Sequence, residues 1–380
     1  MKRLTALFID DDVFMLKALQ RTARRAKPDW DFYLCEHCND WQSALPEGVI
    51  PDVVFCDYLM PQKNGDEVLL EIANIIPSAV RVLLTGDTGE DVVTKVSAIT
   101  HFVLKKPFSA DDLSHVFSCI ERLNALNFNL ETRNKFGRIG YYFALPTIVT
   151  ELQQLFGSED VDIEQAAALI IQESFIAAKI IQIANSAFLG YCRQTVSLEE
   201  AIKRLGLKMT ETIVISMAVG DCLRTKIPAN LHRLINEWAF NFSNQSRQLS
   251  QYFGFNSAMQ DSVSMAALLT GIGQLALIAE SDEYINSSDN DKQFFVARDA
   301  SILTVYILTL WGFSVDLCKM ILMQDNPNFS AQDVNEDKLG LIMYLVKLKL
   351  LCKLENTEKE ALKNLVADTK IVAWIDENLS

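Results

Sequence analysis

Carboxylate, hydroxyl and ammonium groups recur in the first third of the chain, each at the end of a short apolar run. They are Asp10, Asp11 and Asp12 after LTALFI, Asp57 after VVFC, the hydroxyl of Thr85 at the end of VRVLLT, and the ammonium of Lys106 after HFVLK. Carboxylates brought together repel one another, which is tolerable when a cation lies among them. A ligand set of oxygen atoms alone favours Mg²⁺.

Short apolar runs and segments with apolar residues at helical spacing alternate up to Lys106, and this pattern says where these groups lie. The runs are residues 4–9, 31–34, 53–56, 80–85 and 101–105, and helical segments such as Val13–Ala26 and Gly65–Ile76 lie between them. Continuous apolar strands alternating with helices predict an α/β doubly wound parallel sheet of five strands, of flavodoxin-like type. In such a sheet the carboxyl ends of the strands form one functional edge.

A carboxylate beside Mg²⁺, with a hydroxyl and an ammonium nearby, is what phosphoryl transfer to an aspartate requires. On this interpretation Lys106 balances the added negative charge, and Thr85 donates a hydrogen bond to a phosphoryl oxygen. The sequence therefore predicts that the edge of the sheet accepts a phosphoryl group.

The segments IDDD, DYLMPQKNG, LLTG and KKPF, in this order and spacing, resemble the receiver domain of two-component response regulators over residues 1–122. The resemblance implies that Asp57 is the phosphoacceptor and that Thr85 and Lys106 are the switch residues. It implies metal ligands at Asp10, Asp11, Asp57 and the backbone carbonyl of Leu59. It also implies a sensor histidine kinase or a phosphotransfer protein as phosphodonor, and it permits a cis bond between Lys106 and Pro107.

One position departs from the receiver pattern. Receivers often carry an aromatic residue three positions before the lysine, where this chain has Val103, with Phe102 one step earlier. Either a β-bulge in the strand brings Phe102 into this role, or the aromatic switch is absent.

A connector is predicted at residues 123–140. Leu113, Val116, Phe117, Ile120, Leu123 and Leu126 form one apolar stripe. This stripe predicts one continuous helix from Ser109 to Arg133, which is either a lever or a plain spacer. The helix is also compatible with a homodimer.

From residue 141 to residue 380 helical patterns replace strand patterns, which predicts an all-α domain. One of its helices is predicted to begin at a capping pair, Asp162 to Gln165, and to end at about Asn185. The segments ALPTIVTELQQL, AAALIIQESFIAAKIIQIANSAFLG, VSLEEAIKRLGL and ALLTGIGQLAL resemble the HDOD family, the HD-related output domain. The resemblance implies a helical fold akin to HD phosphohydrolases without their metal centre. The position of the HD pair is Thr270-Gly271 here, and Gln274 replaces the usual lysine. His232 is the one histidine of this region, so neither a metal, a cofactor nor phosphodiesterase activity is expected.

The segment AIKRLGLKMTETIVIS has the outline of a helix-turn-helix, but its second helix offers few donors for DNA, namely Lys208, Thr210 and Thr212. The formal net charge of −14 also disfavours DNA and anionic membranes. Eight cysteines without regular spacing indicate a reduced, cytoplasmic protein, and the charge-free stretches 262–279 and 300–315 are interpreted as buried helices.

The main functional hypothesis is a non-catalytic, phosphorylation-controlled regulator that acts by protein–protein contact. By resemblance to signalling systems, its partner is expected to be a cyclic-di-GMP phosphodiesterase or cyclase. Two alternatives remain open: a DNA-binding transcriptional regulator, and a degenerate HD protein that binds a cyclic nucleotide.

Overall fold

The computed structural model describes residues 3–86, 99–138, 147–157, 161–185, 194–223, 226–280, 298–325, 336–351, 359–360, 362–363 and 369–379. The chain divides into two compact units. The first comprises residues 1–144 and 306–315, and the second comprises residues 145–305 and 316–380.

The first unit is built on a five-stranded parallel sheet with the strand order β2-β1-β3-β4-β5. The strands are β1 (Thr5–Ile9), β2 (Asp31–Cys35), β3 (Val53–Asp57), β4 (Val80–Thr85) and β5 (Phe102–Lys105). The strands β1, β3 and β4 are buried along their whole length, since apolar layers cover both faces of the sheet. The predicted doubly wound fold is confirmed, with the strand order of flavodoxin-like proteins.

The described helices of this unit are α1 (Val13–Ala26), α2 (Gly65–Ile75), α3 (Ala110–Ala125) and α4 (Leu130–Gly137), with a 3₁₀ helix at Cys38–Ala44. One face of the sheet carries an aromatic layer. The rings of Phe8 and Phe55 stack at 4.9 Å, and Phe117 of α3 meets Phe55 edge-on at 5.7 Å. The other face packs aliphatic strand residues such as Leu7 and Val54 against α2. Alternation of side chains along each strand divides the core in this way.

The single helix predicted from Ser109 to Arg133 is wrong. The capping box of Ser109 and Asp112 starts α3 as expected, but α3 ends at Ala125. Asn127 adopts a left-handed conformation with φ of 51°, and the side chain of Asn129 accepts a hydrogen bond from the Thr132 N–H to start α4. Asparagine tolerates this backbone conformation and is a strong N-cap, so two asparagines break the helix here. A continuous helical lever is therefore excluded between Ser109 and Arg133.

The helix α4 lies against the amino-terminal edge of the sheet. The N–H of Ser78 donates to Asn134 Oδ1 at 3.2 Å, and Arg133 Nη1 lies 3.4 Å from Asp52 Oδ1. The fully buried Arg81 donates to the carbonyl of Gly137 at 2.6 Å, and burial lowers its pKa to about 10. A Cβ at Gly137 would lie 1.9 Å from the carbonyl oxygen of Pro77, so glycine permits this close approach.

The second unit is helical, as predicted. Its described helices begin with α5 (Thr147–Phe156), α6 (Ile163–Ile170), α7 (Ser174–Ala184), α8 (Leu198–Leu205) and α9 (Leu207–Cys222). They continue with α10 (Ala229–Tyr252), α11 (Ser257–Ala279), α12 (Arg298–Leu310), α13 (Val315–Met323), α14 (Glu336–Leu351) and α15 (Thr369–Asn378). The last five residues of α12, Tyr306–Leu310, are grouped with the first unit.

Capping residues set several of these boundaries. The carboxylate of Asp162 caps α6, and the hydroxyl of Ser197 caps α8, which ends at Gly206 with φ of 79°. The sequence predicted one helix from Asp162 to Asn185, and this is wrong. A turn at residues 171–173 separates α6 from α7, and the N–H of Glu173 donates to the carbonyl of Ile170 at 3.0 Å in that turn. The apolar spacing continues through the turn, so it does not reveal the break.

The helix α11 is long and apolar enough to cross a membrane by length and composition, but 78% of its apolar window is buried inside the protein. It packs closely against its neighbours through glycine. A Cβ at Gly273 would lie 2.1 Å from the carbonyl oxygen of Ala300, and the N–H of Gly273 donates to Thr304 Oγ1 at 3.1 Å. The prediction that this stretch is a buried helix is confirmed.

The substitution Gly273→Ala should destabilise the helical unit by about 1–3 kcal/mol, because the added methyl group overlaps backbone atoms of α12. The matched control is Gly271→Ala, whose Cβ would meet the side chain of Ala239 at 3.2 Å. A gain in helix propensity of about 1 kcal/mol offsets that contact. Urea unfolding followed by far-ultraviolet circular dichroism measures both. Equal effects of the two substitutions would contradict the close packing of α11 on α12.

Candidate functional site

The carboxyl ends of the strands bring together the residues predicted from the sequence. Asp10 follows β1, Asp57 and Thr85 end β3 and β4, and Lys106 follows β5. Asp10, Asp57 and Thr85 are buried, with 2%, 7% and 2% of their surface exposed. The backbone holds the strand ends in register, since the N–H of Tyr58 donates to Leu84 and the N–H of Lys106 donates to Thr85. One edge of the sheet therefore carries carboxylates, a hydroxyl and an ammonium together.

The carboxylates of Asp10, Asp11 and Asp57 form an acidic cluster. One ligand oxygen from each lies within 4.8 Å of the other two. Burial raises the pKa of the Asp10 carboxyl, and the neighbouring Asp57 carboxylate raises it further. The N–H of Asp12 and the charge of Lys106 act in the opposite direction. A divalent cation would relieve this repulsion, and the all-oxygen donor set fits Mg²⁺.

Asp12 has a different function, although it stands beside Asp10 and Asp11 in the sequence. Its backbone N–H donates to Asp10 Oδ1 at 2.9 Å, which orients that carboxylate. Its side chain is the N-cap of α1 and accepts hydrogen bonds from the N–H groups of Phe14 and Met15. The three successive aspartates therefore divide into two members of the acidic cluster and one helix cap.

Lys106 bridges the two buried carboxylates. Its Nζ lies 2.5 Å from Asp57 Oδ1 and 3.2 Å from Asp10 Oδ2. Burial alone lowers the pKa of this ammonium, but the hydrogen bond to Asp57 and the attraction of Asp10 outweigh burial and raise it. Lys106 is therefore charged at neutral pH and balances part of the cluster. The peptide bond between Lys106 and Pro107 is cis.

The aromatic position before Lys106 has a defined geometry. Phe102 pairs with Val82, and Val103 pairs with Leu83, in a one-to-one register without a bulge through β5. The ring of Phe102 packs edge-on against His115 of α3, with centroids 6.5 Å apart. Since side chains alternate along a strand, Phe102 lies on the face opposite Thr85, and Val103 lies on the same face as Thr85. The bulge alternative is therefore wrong, and the position three before Lys106 is aliphatic.

Two further residues of the segment DYLMPQKNG border the site. The side chain of Leu59, whose carbonyl the sequence predicts as a metal ligand, is 65% exposed. A Cβ at Gly65 would lie 2.1 Å from the carbonyl oxygen of Asp57, and the Gly65 N–H donates to Tyr58 at 2.8 Å. Glycine is therefore required where α2 begins against the phosphoacceptor candidate. Sequence reasoning gave Gly65 no role, although a glycine at the end of the segment DYLMPQKNG was a signal.

In the helical unit the positions of an HD pair are occupied by packed core residues. Thr270 and Gln274 are buried, and the hydroxyl of Thr270 donates to the carbonyl of Ala267 at 2.7 Å. His232 joins α9 and α10 through Nε2, which donates to the carbonyl of Gly220 at 2.8 Å. Among the residues that the structure describes, the acidic cluster at the sheet edge is the group of three or more metal-ligating side chains.

The helix-turn-helix outline is a packed pair of helices. Gly206 separates α8 from α9, and Thr210 and Thr212 of the second helix are 0% and 1% exposed. Their hydroxyls donate to the carbonyls of Gly206 and Lys208 within the helix. Two of the three expected donors for DNA are therefore committed to the core.

Comparison with known proteins identifies two family domains in the chain. The family model of the response regulator receiver domain matches residues 6–118, and that of the HDOD domain matches residues 143–327. Two curated relatives are each 28% identical: the hydrogenase transcriptional regulatory protein HoxA of Bradyrhizobium diazoefficiens over 130 residues, and an uncharacterized protein of Treponema pallidum over 81 residues. These matches cover 34% and 21% of this chain, and 26% and 16% of the relatives.

Solved structures resemble the two parts separately. The signal receiver domain of an HD domain-containing protein from Pseudomonas fluorescens Pf-5 is 24% identical, with 35% of this chain and 99% of that chain covered and a TM-score of 0.28. An HDOD domain protein of unknown function from Geobacter sulfurreducens is 17% identical, with 58% and 79% covered and a TM-score of 0.41.

The parallel sheet, its acidic edge and the family match at residues 6–118 define a receiver domain. A receiver domain implies a phosphodonor such as a histidine kinase. The chain thus carries a receiver domain followed by an HDOD domain at residues 143–327, which is the arrangement of a two-component response regulator.

The acidic cluster makes a testable distinction between neighbouring aspartates. Asp11→Asn should weaken Mg²⁺ binding by about tenfold or more, because one of three anionic ligands becomes neutral. Asp12→Asn is the control and should leave the affinity unchanged, since asparagine is as good an N-cap as aspartate. Calorimetric titration of the full-length protein with MgCl₂ gives both affinities. A similar loss in the two variants would assign Asp12 to the metal site as well.

Proposed function

We propose that Asp57 accepts a phosphoryl group and that its phosphorylation controls contacts made by the helical domain. The observation that carries this proposal is the acidic cluster of Asp10, Asp11 and Asp57, with the Lys106 Nζ 2.5 Å from Asp57 Oδ1. This combination supplies a nucleophile, two further carboxylates for a cation and a fixed positive charge, all at one edge of the sheet.

The proposed chemistry follows from these residues. A carboxylate oxygen of Asp57 forms a bond to phosphorus, while the bond from phosphorus to the donor's nitrogen or oxygen breaks and its electron pair leaves with the donor. Bound Mg²⁺ would neutralise charge on the transferring phosphoryl group. Asp10, Asp11, Asp57 and the carbonyl of Leu59 would hold this ion. Lys106 and the Thr85 hydroxyl would bind phosphoryl oxygens and change position in response to the added negative charge.

Phosphorylation by acetyl phosphate tests this chemistry without a cognate kinase. Incubation of the full-length protein with acetyl phosphate and MgCl₂ should add one phosphoryl group, measured by intact-protein mass spectrometry. Asp57→Asn should abolish the addition. Lys106→Met should keep the Asp57 nucleophile but remove the positive charge that contacts it. Glu67 is exposed near the start of α2 and supplies the control, since Glu67→Gln should be phosphorylated like the parent. An adduct that persists in Asp57→Asn would overturn the assignment of Asp57.

We propose that the helical domain acts by protein–protein contact and does not hydrolyse a substrate. The positions of the HD pair, Thr270 and Gly271, are packed inside the helical unit, and neither residue type is a carboxylate or imidazole ligand. His232, whose Nε2 donates to a carbonyl, is committed to joining two helices. We propose an enzyme of cyclic-di-GMP metabolism as the partner class, on the strength of resemblance to signalling systems.

The proposal places the protein in the cytoplasm. Cys35, Cys38, Cys56, Cys119 and Cys318 are free and buried thiols in the described part of the chain. Thiols persist in this form in a reducing compartment. The same location gives Asp57 access to a histidine kinase or a phosphotransfer protein.

A pull-down from cell lysate tests the output. The immobilised protein is incubated with and without Mg²⁺ and beryllofluoride, which mimics the phosphorylated aspartate, and retained proteins are identified by mass spectrometry. We expect a protein retained in one state and lost in the Asp57→Ala variant. Recovery of the protein's own chain would indicate a homodimer as the regulated contact. Identical retained proteins in both states would contradict control of contacts by Asp57.

A further inference from the structure

A cavity of about 260 Å³ lies in the helical unit among α7, α8, α9, α10 and α11. Its polar lining includes Arg204, Asn244, Arg247 and Asp261. It is separate from the HD positions, since Thr270 and Gln274 do not line it. Ligand pockets are concave and place a few converging polar groups beside apolar walls. This cavity has polar and apolar lining in about equal parts.

Two guanidinium groups supply hydrogen-bond donors to the cavity. Arg204 and Arg247 have side chains that are only 8% and 19% exposed, and each contacts a carboxylate, Glu200 and Asp261 respectively. Glu200 lies outside the lining but contacts Arg204, so each guanidinium is already paired with one carboxylate. A guanidinium has five N–H donors in a rigid fork, so a carboxylate can orient it while it binds a second anion.

An apolar wall completes the cavity. The apolar lining includes Ile183, Met209, Ile213, Phe240 and Leu268. In the described lining the acidic side chain is that of Asp261. Apolar and aromatic walls favour the body of an organic molecule over a hydrated inorganic ion, because burying apolar surface is favourable. The volume favours a small ligand, since drug-sized ligands occupy about 300–1,000 Å³.

We propose that this cavity binds a small organic monoanion, whose phosphate or carboxylate oxygens contact Arg204 and Arg247 and whose apolar or planar body packs against Phe240. Since each guanidinium already contacts one carboxylate, a ligand with a single negative charge meets less repulsion here than a dianion would. The whole protein has a formal net charge of −14, so a short-range site of this kind is needed to attract an anion.

The same guanidinium connects the cavity to a hydrogen-bond network. Arg204 Nη1 donates to Asn185 Oδ1 at 3.4 Å, and the Asn185 side chain bonds both the N–H and the carbonyl of Thr195 at 2.7 Å. The Thr195 hydroxyl donates to Glu200, which also contacts Arg204. An anion bound to Arg204 therefore acts on Asn185, at the end of α7, and on Thr195, shortly before α8. Ligand binding here is a second input, independent of Asp57.

The test is calorimetric titration of the full-length protein with three monoanions: 3′,5′-cyclic AMP, 3′,5′-cyclic GMP and 2-naphthoate. The first two present a phosphodiester and the third a carboxylate, so the arms separate the two sources of negative charge. We expect saturable binding of at least one probe with a dissociation constant below about 1 mM. Arg247→Gln should weaken that binding by about tenfold or more, because a charged hydrogen bond is lost.

Two further variants keep the test independent of folding defects. Asp261→Asn removes the carboxylate that contacts Arg247 and should tighten binding severalfold, which a destabilised protein would not do. Arg233→Gln is the matched control on the same helix, since Arg233 pairs with Glu237 and is exposed outside the cavity. Absence of binding by all three probes up to about 1 mM would overturn the proposal, as would equal affinities in all variants.

Discussion

Repulsion among carboxylates at one edge of the sheet is the interaction on which the first unit depends. Asp10 and Asp57 are buried side by side, and the charge of Lys106 stabilises both. Such a cluster persists only where the surrounding backbone fixes each side chain. Here the paired strands fix Asp57, and the N–H of Asp12 orients Asp10. The fold thus assembles a charged site that no short segment could hold by itself.

In the helical unit, the positions that correspond to an HD site carry neutral, packed residues instead of clustered charges. Small and neutral residues let the helices approach until backbone atoms touch, as Gly273 does against Ala300. Threonine hydroxyls satisfy local carbonyls, since the Thr304 hydroxyl donates to Ala300 at 2.8 Å. The described residues at these positions therefore form a closely packed helix interface.

The sheet and its edge could be predicted because buried parallel strands are apolar along their whole length and end in polar residues, as VVFC ends at Asp57. The breaks inside helical patterns could not be predicted from apolar spacing, which continues across residues 126–129 and 171–173. Asparagine at 127 and 129 was the available signal for the first break. The cavity with Arg204 and Arg247 could not be predicted at all, because it combines residues from five helices that are far apart in the chain.

The strands β3 and β4 join two chemically different edges of the same sheet. Asp57 and Thr85 stand at their carboxyl ends, while Asp52 and Ser78, which precede them, contact Arg133 and Asn134 of α4. Five or six residues of strand separate these edges by about 16–20 Å. Buried, fully paired strands deform little, so a change of charge at Asp57 reaches α4 only as a shift between two discrete arrangements of the unit. The fixed docking of α4 through Arg81 and Gly137 favours a stationary anchor at that edge. On the proposed phosphorylation of Asp57, rearrangement is then expected at the carboxyl edge, where Lys106 and Thr85 lie beside Asp57.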